Sequence, residues 1–201
     1  MESRRLAAVL LLATIGTTPL ALVWATPAPG PRPLTEDERD LYAAFLDLYV
    51  PALKKFTGTN PAIINLVNTT APLDLGHELK ENKDCFSGIA FDKRDKARNQ
   101  LHTFDARLVS AREVRLVDLA QQSAIRDAIT HGVPTTIVGN TALETNFLQL
   151  SEIAFDRTHQ YAMARYTFSC GNICGQGGVV VFEKARNRWR DDHRPCIGWI
   201  S

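Results

Sequence analysis

The sequence predicts an α+β fold in which an N-terminal helix or helices pack on a curved antiparallel β-meander. Three features carry that expectation. A capped stretch beginning at Thr35 repeats apolar residues at helical spacing, Glu113–Leu119 alternates polar and apolar side chains, and the last third reads as short strands divided by turns. Roughly 175 residues follow an N-terminal export segment, a length that suits one domain with a buried core and is cramped for two.

The export segment comes first. Arg4 and Arg5 precede the apolar run Leu6–Ile15, and Val23, Trp24 and Ala25 place a cleavage point after Ala25. An uncleaved anchor is the competing reading, because a bilayer span needs roughly 20 apolar residues. Gly16, Thr17, Thr18 and Pro19 interrupt the run well before that length. Residues 1–25 are therefore read as a signal peptide, and the mature chain is expected in the periplasm or secreted, with no stable membrane insertion after cleavage. No cysteine near the cut offers a lipid anchor, and Ala7 and Ala8 do not continue a twin-arginine pattern.

The 23 basic and 22 acidic side chains become 21 and 21 once Arg4, Arg5 and Glu2 leave with the signal. A neutral chain lacks the basic footprint of a nucleic-acid or anionic-membrane binder, so no nucleic-acid partner is expected.

Residues 26–34 alternate proline (Pro27, Pro29, Pro31, Pro33) and read as an extended, semi-rigid spacer ahead of a single domain over 35–201. Thr35 with Glu36, Asp37 and Glu38 forms a capping box at the positive end of a helix. Leu41, Tyr42, Phe45, Leu48, Tyr49, Ala52, Leu53 and Phe56 then recur on what should be its core face. Pro51 should kink or end this helix around Leu48–Val50. Ala62–Thr70, bounded by Pro61 and Pro72, reads as a strand. Leu73–Gln100 shows no sustained period, and a helix is expected around Lys93–Phe104. The strand at Glu113–Leu119 follows. The meander is expected at Phe147–Asp156, Tyr161–Ser169, Gly178–Lys184, Arg188–Asp192 and Ile197–Ser201, with a tight turn at Ala185–Asn187.

Four cysteines in an exported chain favour two disulfides, and they allow three pairings. Cys170 and Cys174 share one loop between paired strands and are close enough to bridge, which leaves Cys85 with Cys196. A redox role for Cys170 and Cys174 is the rival reading, but C-x-x-x-C between strands lacks the helix start that depresses a thiol pKa. The glycines Gly171, Gly175, Gly177 and Gly178 run into a strand rather than a helix, so they read as suppliers of positive backbone torsions and not as a phosphate loop. His77 and Glu78 open a zincin-like pattern that fails at Glu81, and no G-x-S-x-G elbow is present. His193 with Cys196 is a faint hint of zinc. The histidines at 102, 131, 159 and 193 are scattered and read as surface or turn residues. Asp191, Asp192 and His193 form a polar cluster that reads as a solvated turn.

The motifs of the last third, Leu150–Asp156, Gln160–Met163, Cys170–Gly178, Phe182–Lys184 with Trp189, and the closing Gly198–Ser201, resemble a family of small uncharacterised bacterial exported proteins. The shared features are a similar meander, a cysteine and glycine loop, a lysine-then-tryptophan hairpin and a terminal Trp-Ile-Ser. The resemblance implies architecture and carries no activity to this chain.

The functional expectation is a non-enzymatic periplasmic or secreted domain that binds an unknown protein or small molecule, with no catalytic residue, metal or cofactor assigned. The alternative is a hydrolase or thiol-redox enzyme using the Cys170/Cys174 loop or the Asp191–His193 cluster. A cone-like sheet of the nuclear-transport-factor type is one version of the fold, and its apolar interior is where a ligand is expected.

Overall fold

A computed structural model describes residues 30–57, 63–92, 100–130, 146–170 and 174–201, with the side chains of 125–130 excepted. Residues 1–25, read above as a signal segment, lie outside these residues. Helix α1 spans Glu36–Phe56. Its start is as the sequence dictates: Thr35 Oγ1 accepts from the Glu38 N–H at 3.3 Å while Glu38 Oε2 accepts from the Thr35 N–H at 2.8 Å.

Pro51 does not end the helix, which continues to Phe56. The proline lies on the exposed side, where its missing N–H removes a single ladder bond. Val50, Leu53 and Lys54 are buried on either side of it, and Lys54 Nζ pairs with Glu113 Oε2 at 2.5 Å. Burial of those side chains outweighs the lost bond. Leu48 and Ala52 are exposed, contrary to expectation; Leu46 and Val50 take their places in the core. The buried stripe is thus 41, 42, 45, 46, 50 and 53, a helical arc rotated toward 46 and 50 from the one apolarity alone suggested.

The spacer ends docked. Arg32–Pro33 (β1) pairs in parallel with His102–Thr103 (β3), and Leu34 is buried. His102–Thr103 also corrects the helix expected around Lys93–Phe104. Residues 93–99 lie outside the described residues, and Asp105 starts a new helix, α3 (Ala106–Val109), by accepting from the Arg107 and Leu108 N–H groups. Phe104, just before that cap, meets Tyr42 edge-on at 5.0 Å.

Strands β2 (Ile64–Val67) and β4 (Val114–Val117) fall inside the segments expected for them. Two helices lack a sustained apolar period and are marked by their caps: α2 (Leu75–Glu81) behind Asp74 and α4 (Leu119–Thr130) behind Asp118. The segment expected as one strand at Phe147–Asp156 is broken into β5 (Asn146–Leu150) and β6 (Ala154–Phe155), both paired with β7 (Tyr161–Cys170). β8 (Gly175–Ala185) follows, then the turn at Arg186 and Asn187, both at positive φ, then β9 (Arg188–Asp191) and β10 (Gly198–Ile200).

One eight-stranded sheet results, ordered β10-β8-β7-β5-β2-β4, with β6 on β7 and β9 on β8. The C-terminal strands pair antiparallel as expected, whereas β2 runs parallel to both β4 and β5. β9 and β10 share one edge of the long β8. The fold is α+β, with helices on a curled mixed sheet.

Period-two alternation assigns the faces. Ile64, Leu66, Leu148, Leu150, Phe168, Val180 and Phe182 point inward to the α1 stripe and form the main core. Their neighbours point outward. Met163, Val179 and Val181 meet Leu73, Leu75, Cys85, Phe86 and Phe91 in a second, smaller core covering part of the outer face. The concave interior, the expected ligand space, is packed by α1. The open ground is on the outer face.

Candidate functional site

Three clefts lie end to end across that outer face. The first, about 290 Å³, sits between Leu119, Gln122 and Ser123 of α4 and the strand residues Phe147, Gln149, Thr167 and Ser169. The second, about 170 Å³, shares Gln149 and Thr167 with the first and adds Ala71, Pro72, Ser151 and Arg165. The third, about 230 Å³, shares Arg165 with the second and lies between α2 and Trp199 of β10. Shared lining residues join them into one groove.

Strand register explains the floor. Thr167 pairs with both Gln149 and Gly177, and Ser169 with both Phe147 and Gly175. On the outward side this row carries only an amide, two hydroxyls and two glycines between Phe147 and Trp199. Those glycines correct the expectation of positive torsions: among the described residues only Gly88 is a glycine at positive φ, and Gly175, Gly177 and Gly178 lie within β8. Their smallness serves another end. Trp199 sits opposite Gly177, and a Cβ at Gly177 would come within 2.6 Å of the indole Nε1. The indole rests on bare backbone, and Trp199 remains 42% exposed.

Arg165 occupies the middle. Its Nη1 donates to Glu78 Oε1 at 3.0 Å; Glu78 Oε2 accepts from Asn82 Nδ2 at 3.1 Å, and Asn82 Oδ1 accepts from the Ile197 N–H at 2.8 Å. Glu78 and Asn82 are buried, while the Arg165 side chain is 46% exposed. The chain of bonds holds the guanidinium in place and leaves donors facing the groove. His77 and Glu81 are exposed at the rim. The His77–Glu78 pair of the sequence therefore splits: Glu78 orients Arg165, and His77 lines the cleft beside it.

Sequence reasoning missed a second cluster. His102, expected at the surface or in a turn, is buried. Its Nδ1 lies 2.8 Å from Glu152 Oε2, its Nε2 lies 3.8 Å from Glu38 Oε1, and its N–H donates to Glu152 Oε1 at 3.0 Å. Thr70 donates its hydroxyl to the same Glu152 oxygen. Burial raises the Glu152 pKa above the ordinary carboxylate value, more than the bonds from Thr70 and His102 lower it. The Tyr42 hydroxyl donates to the Ser151 carbonyl at 2.6 Å, and burial, with the charges of Glu152 and Glu38, pushes its pKa well up. The cluster pins β3 and the end of the spacer to the sheet. Of the residues in this network only Ser151 also lines the groove.

The remaining sequence candidates are occupied elsewhere. Cys85 pairs with Cys196 and Cys170 with Cys174, the expected pairing. Cys196 thus spends on Cys85 the sulfur that a zinc site with His193 would need, and the His193 side chain is 79% exposed. Asp191 accepts from the Tyr49 hydroxyl at 2.8 Å and from the His193 N–H at 2.7 Å, while Asp192 pairs with Arg194. The Asp191–His193 segment ties the end of β9 to α1. His159, at positive φ, is a turn residue stacked on Phe155 at 5.0 Å. His131 lies outside the described residues. Among the described residues no helix is long and apolar enough to cross a membrane.

Comparison with family models, with curated proteins and with solved structures finds no match to this chain.

Proposed function

We propose that this chain is an exported, non-enzymatic binding domain, related to the small bacterial exported proteins its C-terminal motifs resemble, and that its ligand lies in the outer-face groove. One observation carries the reading: three adjacent clefts that share Gln149, Thr167 and Arg165 are lined by hydrogen-bonding side chains and flanked by Phe147 and Trp199. Export draws its support from the signal-like N-terminus and from two disulfides, which persist in oxidising compartments.

The test is a thermal-shift screen of the mature chain beside Thr167→Trp, whose indole fills the middle of the groove. At least one compound is expected to raise the melting temperature of the wild type alone and to be recovered unchanged. A screen in which no compound distinguishes the two proteins would overturn the site, and turnover of the bound compound would overturn the non-enzymatic reading. Fractionation of the expressing cell checks export.

A further inference from the structure

We propose that the groove takes a neutral saccharide chain, one ring of which stacks on Trp199 while its hydroxyls hydrogen-bond to Arg165, Gln149 and Thr167. This rests on the binding reading above and assigns it a ligand class.

Trp199 supplies the platform. An indole laid on Gly175 and Gly177 presents an aromatic surface to the cleft with no side chain beneath it to tilt the ring. The C–H-rich face of a pyranose packs on such a surface, because its slightly positive hydrogens meet the negative face of the π system.

Arg165 supplies directional bonds. The Glu78 and Asn82 chain fixes its guanidinium before any ligand arrives, so little side-chain entropy is lost on binding. Charged donors bind hydroxyl oxygens more strongly than neutral ones do.

Charge selects neutrality. Glu78 already compensates Arg165, and Glu81 adds a further acidic group at the same cleft. Among the described residues lining this cleft, no lysine or second arginine stands ready for an anionic ligand. Gln149 and Thr167 each donate and accept, as a hydroxyl does, so they match a polyhydroxylated partner better than a group that can only accept. Three shallow linked clefts, in place of one deep hole, suit a chain of rings.

The experiment is a glycan array of neutral and anionic oligosaccharides probed with the mature chain, followed by calorimetric titration of the hits against wild type, Trp199→Ala, Trp199→Phe, Arg165→Gln and Thr167→Trp. A neutral series is expected to bind more tightly as it lengthens, with a tenfold or greater loss in Trp199→Ala, a clear loss in Arg165→Gln and near-wild-type binding in Trp199→Phe. Equal circular dichroism spectra establish that the variants fold; should Trp199→Ala fail to, Arg165→Gln and Thr167→Trp still decide. Preference for anionic glycans, or neutral binding indifferent to all four variants, overturns the proposal. If no glycan binds but some other compound loses its effect in Thr167→Trp, the saccharide assignment falls and the groove reading survives. If Thr167→Trp changes nothing for any compound, both fall.

Discussion

Glu152 makes the buried cluster open to a quantitative test. Replacing it with alanine removes the acceptor of the His102 N–H at 3.0 Å, of the Thr70 hydroxyl and of the His102 ring at 2.8 Å. Breaking a buried pair from one side costs about 3–5 kcal/mol, and the lower half applies here because the His102 N–H keeps Thr70 Oγ1 at 2.8 Å as an acceptor. We expect a loss of about 3–4 kcal/mol, or roughly 8–12 °C in melting temperature for a domain of this size. Glu152→Gln is the control. Its carbonyl can accept from the His102 N–H and Thr70, and its amide can donate to an imidazole whose proton sits on Nε2, so the expected cost is below about 1 kcal/mol.

The same pair of variants separates pH behaviour. Because burial raises the Glu152 pKa above its ordinary 4.5, the folded chain holds a proton that the unfolded chain has released. Stability from this group is therefore full below 4.5 and declines as pH rises through the higher folded value. Urea unfolding followed by circular dichroism, with both disulfides intact and from pH 4 upward, is expected to show that decline in the wild type and to lack it in Glu152→Gln. Equal losses in the alanine and glutamine variants, or an alanine loss below about 1 kcal/mol, would refute the reasoning.

Other perturbations follow from single contacts. Asp156 accepts from the Thr158 N–H and hydroxyl on one oxygen and from the Gln160 and Tyr161 N–H groups on the other. Asp156→Asn leaves at least one of those N–H donors facing an amide nitrogen, a cost of about 2–3 kcal/mol by urea unfolding. Burial alone would raise the Asp156 pKa, but those hydrogen bonds together hold it below the usual carboxylate range, so the wild type should lose this contribution as pH falls through the lowered value. Replacing Cys85 and Cys196 with serine opens a link 111 residues apart, against 4 for Cys170 and Cys174. In the chain-entropy model the losses are about 4–5 and about 2 kcal/mol, an order that calorimetry of the two double variants checks. Pro51→Ala restores a donor in the interior of α1 on its exposed side and is expected to stabilise by about 1–2 kcal/mol by denaturant titration. Gly177→Ala puts a Cβ 2.6 Å from the Trp199 indole and 2.8 Å from the Tyr166 carbonyl, so tryptophan fluorescence is expected to shift and the melting temperature to fall.

What the sequence determined by itself is local. The Thr35 capping box specifies where α1 begins, because a cap and its helix lie within a few residues of each other, and the apolar stripe behind it marks the buried side apart from Leu48 and Ala52. The β7–β8–β9 run follows from period-two alternation and short connections, and the cysteine pairing from loop proximity and elimination. Tertiary structure decided the rest through contacts that no local pattern encodes. β2 runs parallel to two strands far from it in sequence. His102 reads as an ordinary polar residue until Glu152, 50 positions away, closes on it. Arg165 acquires its orientation from Glu78 at a separation of 87, and Pro51 stays helical because Lys54 finds Glu113 at 59. The groove is built the same way, from α2, α4, β5, β7 and β10, where strand register alone sets Trp199 over Gly177. Backbone hydrogen bonds and side-chain period act over one or two turns and leave a written trace. Burial is settled by the whole chain at once, and it put the main core on one sheet face and left a smaller core beside open clefts on the other.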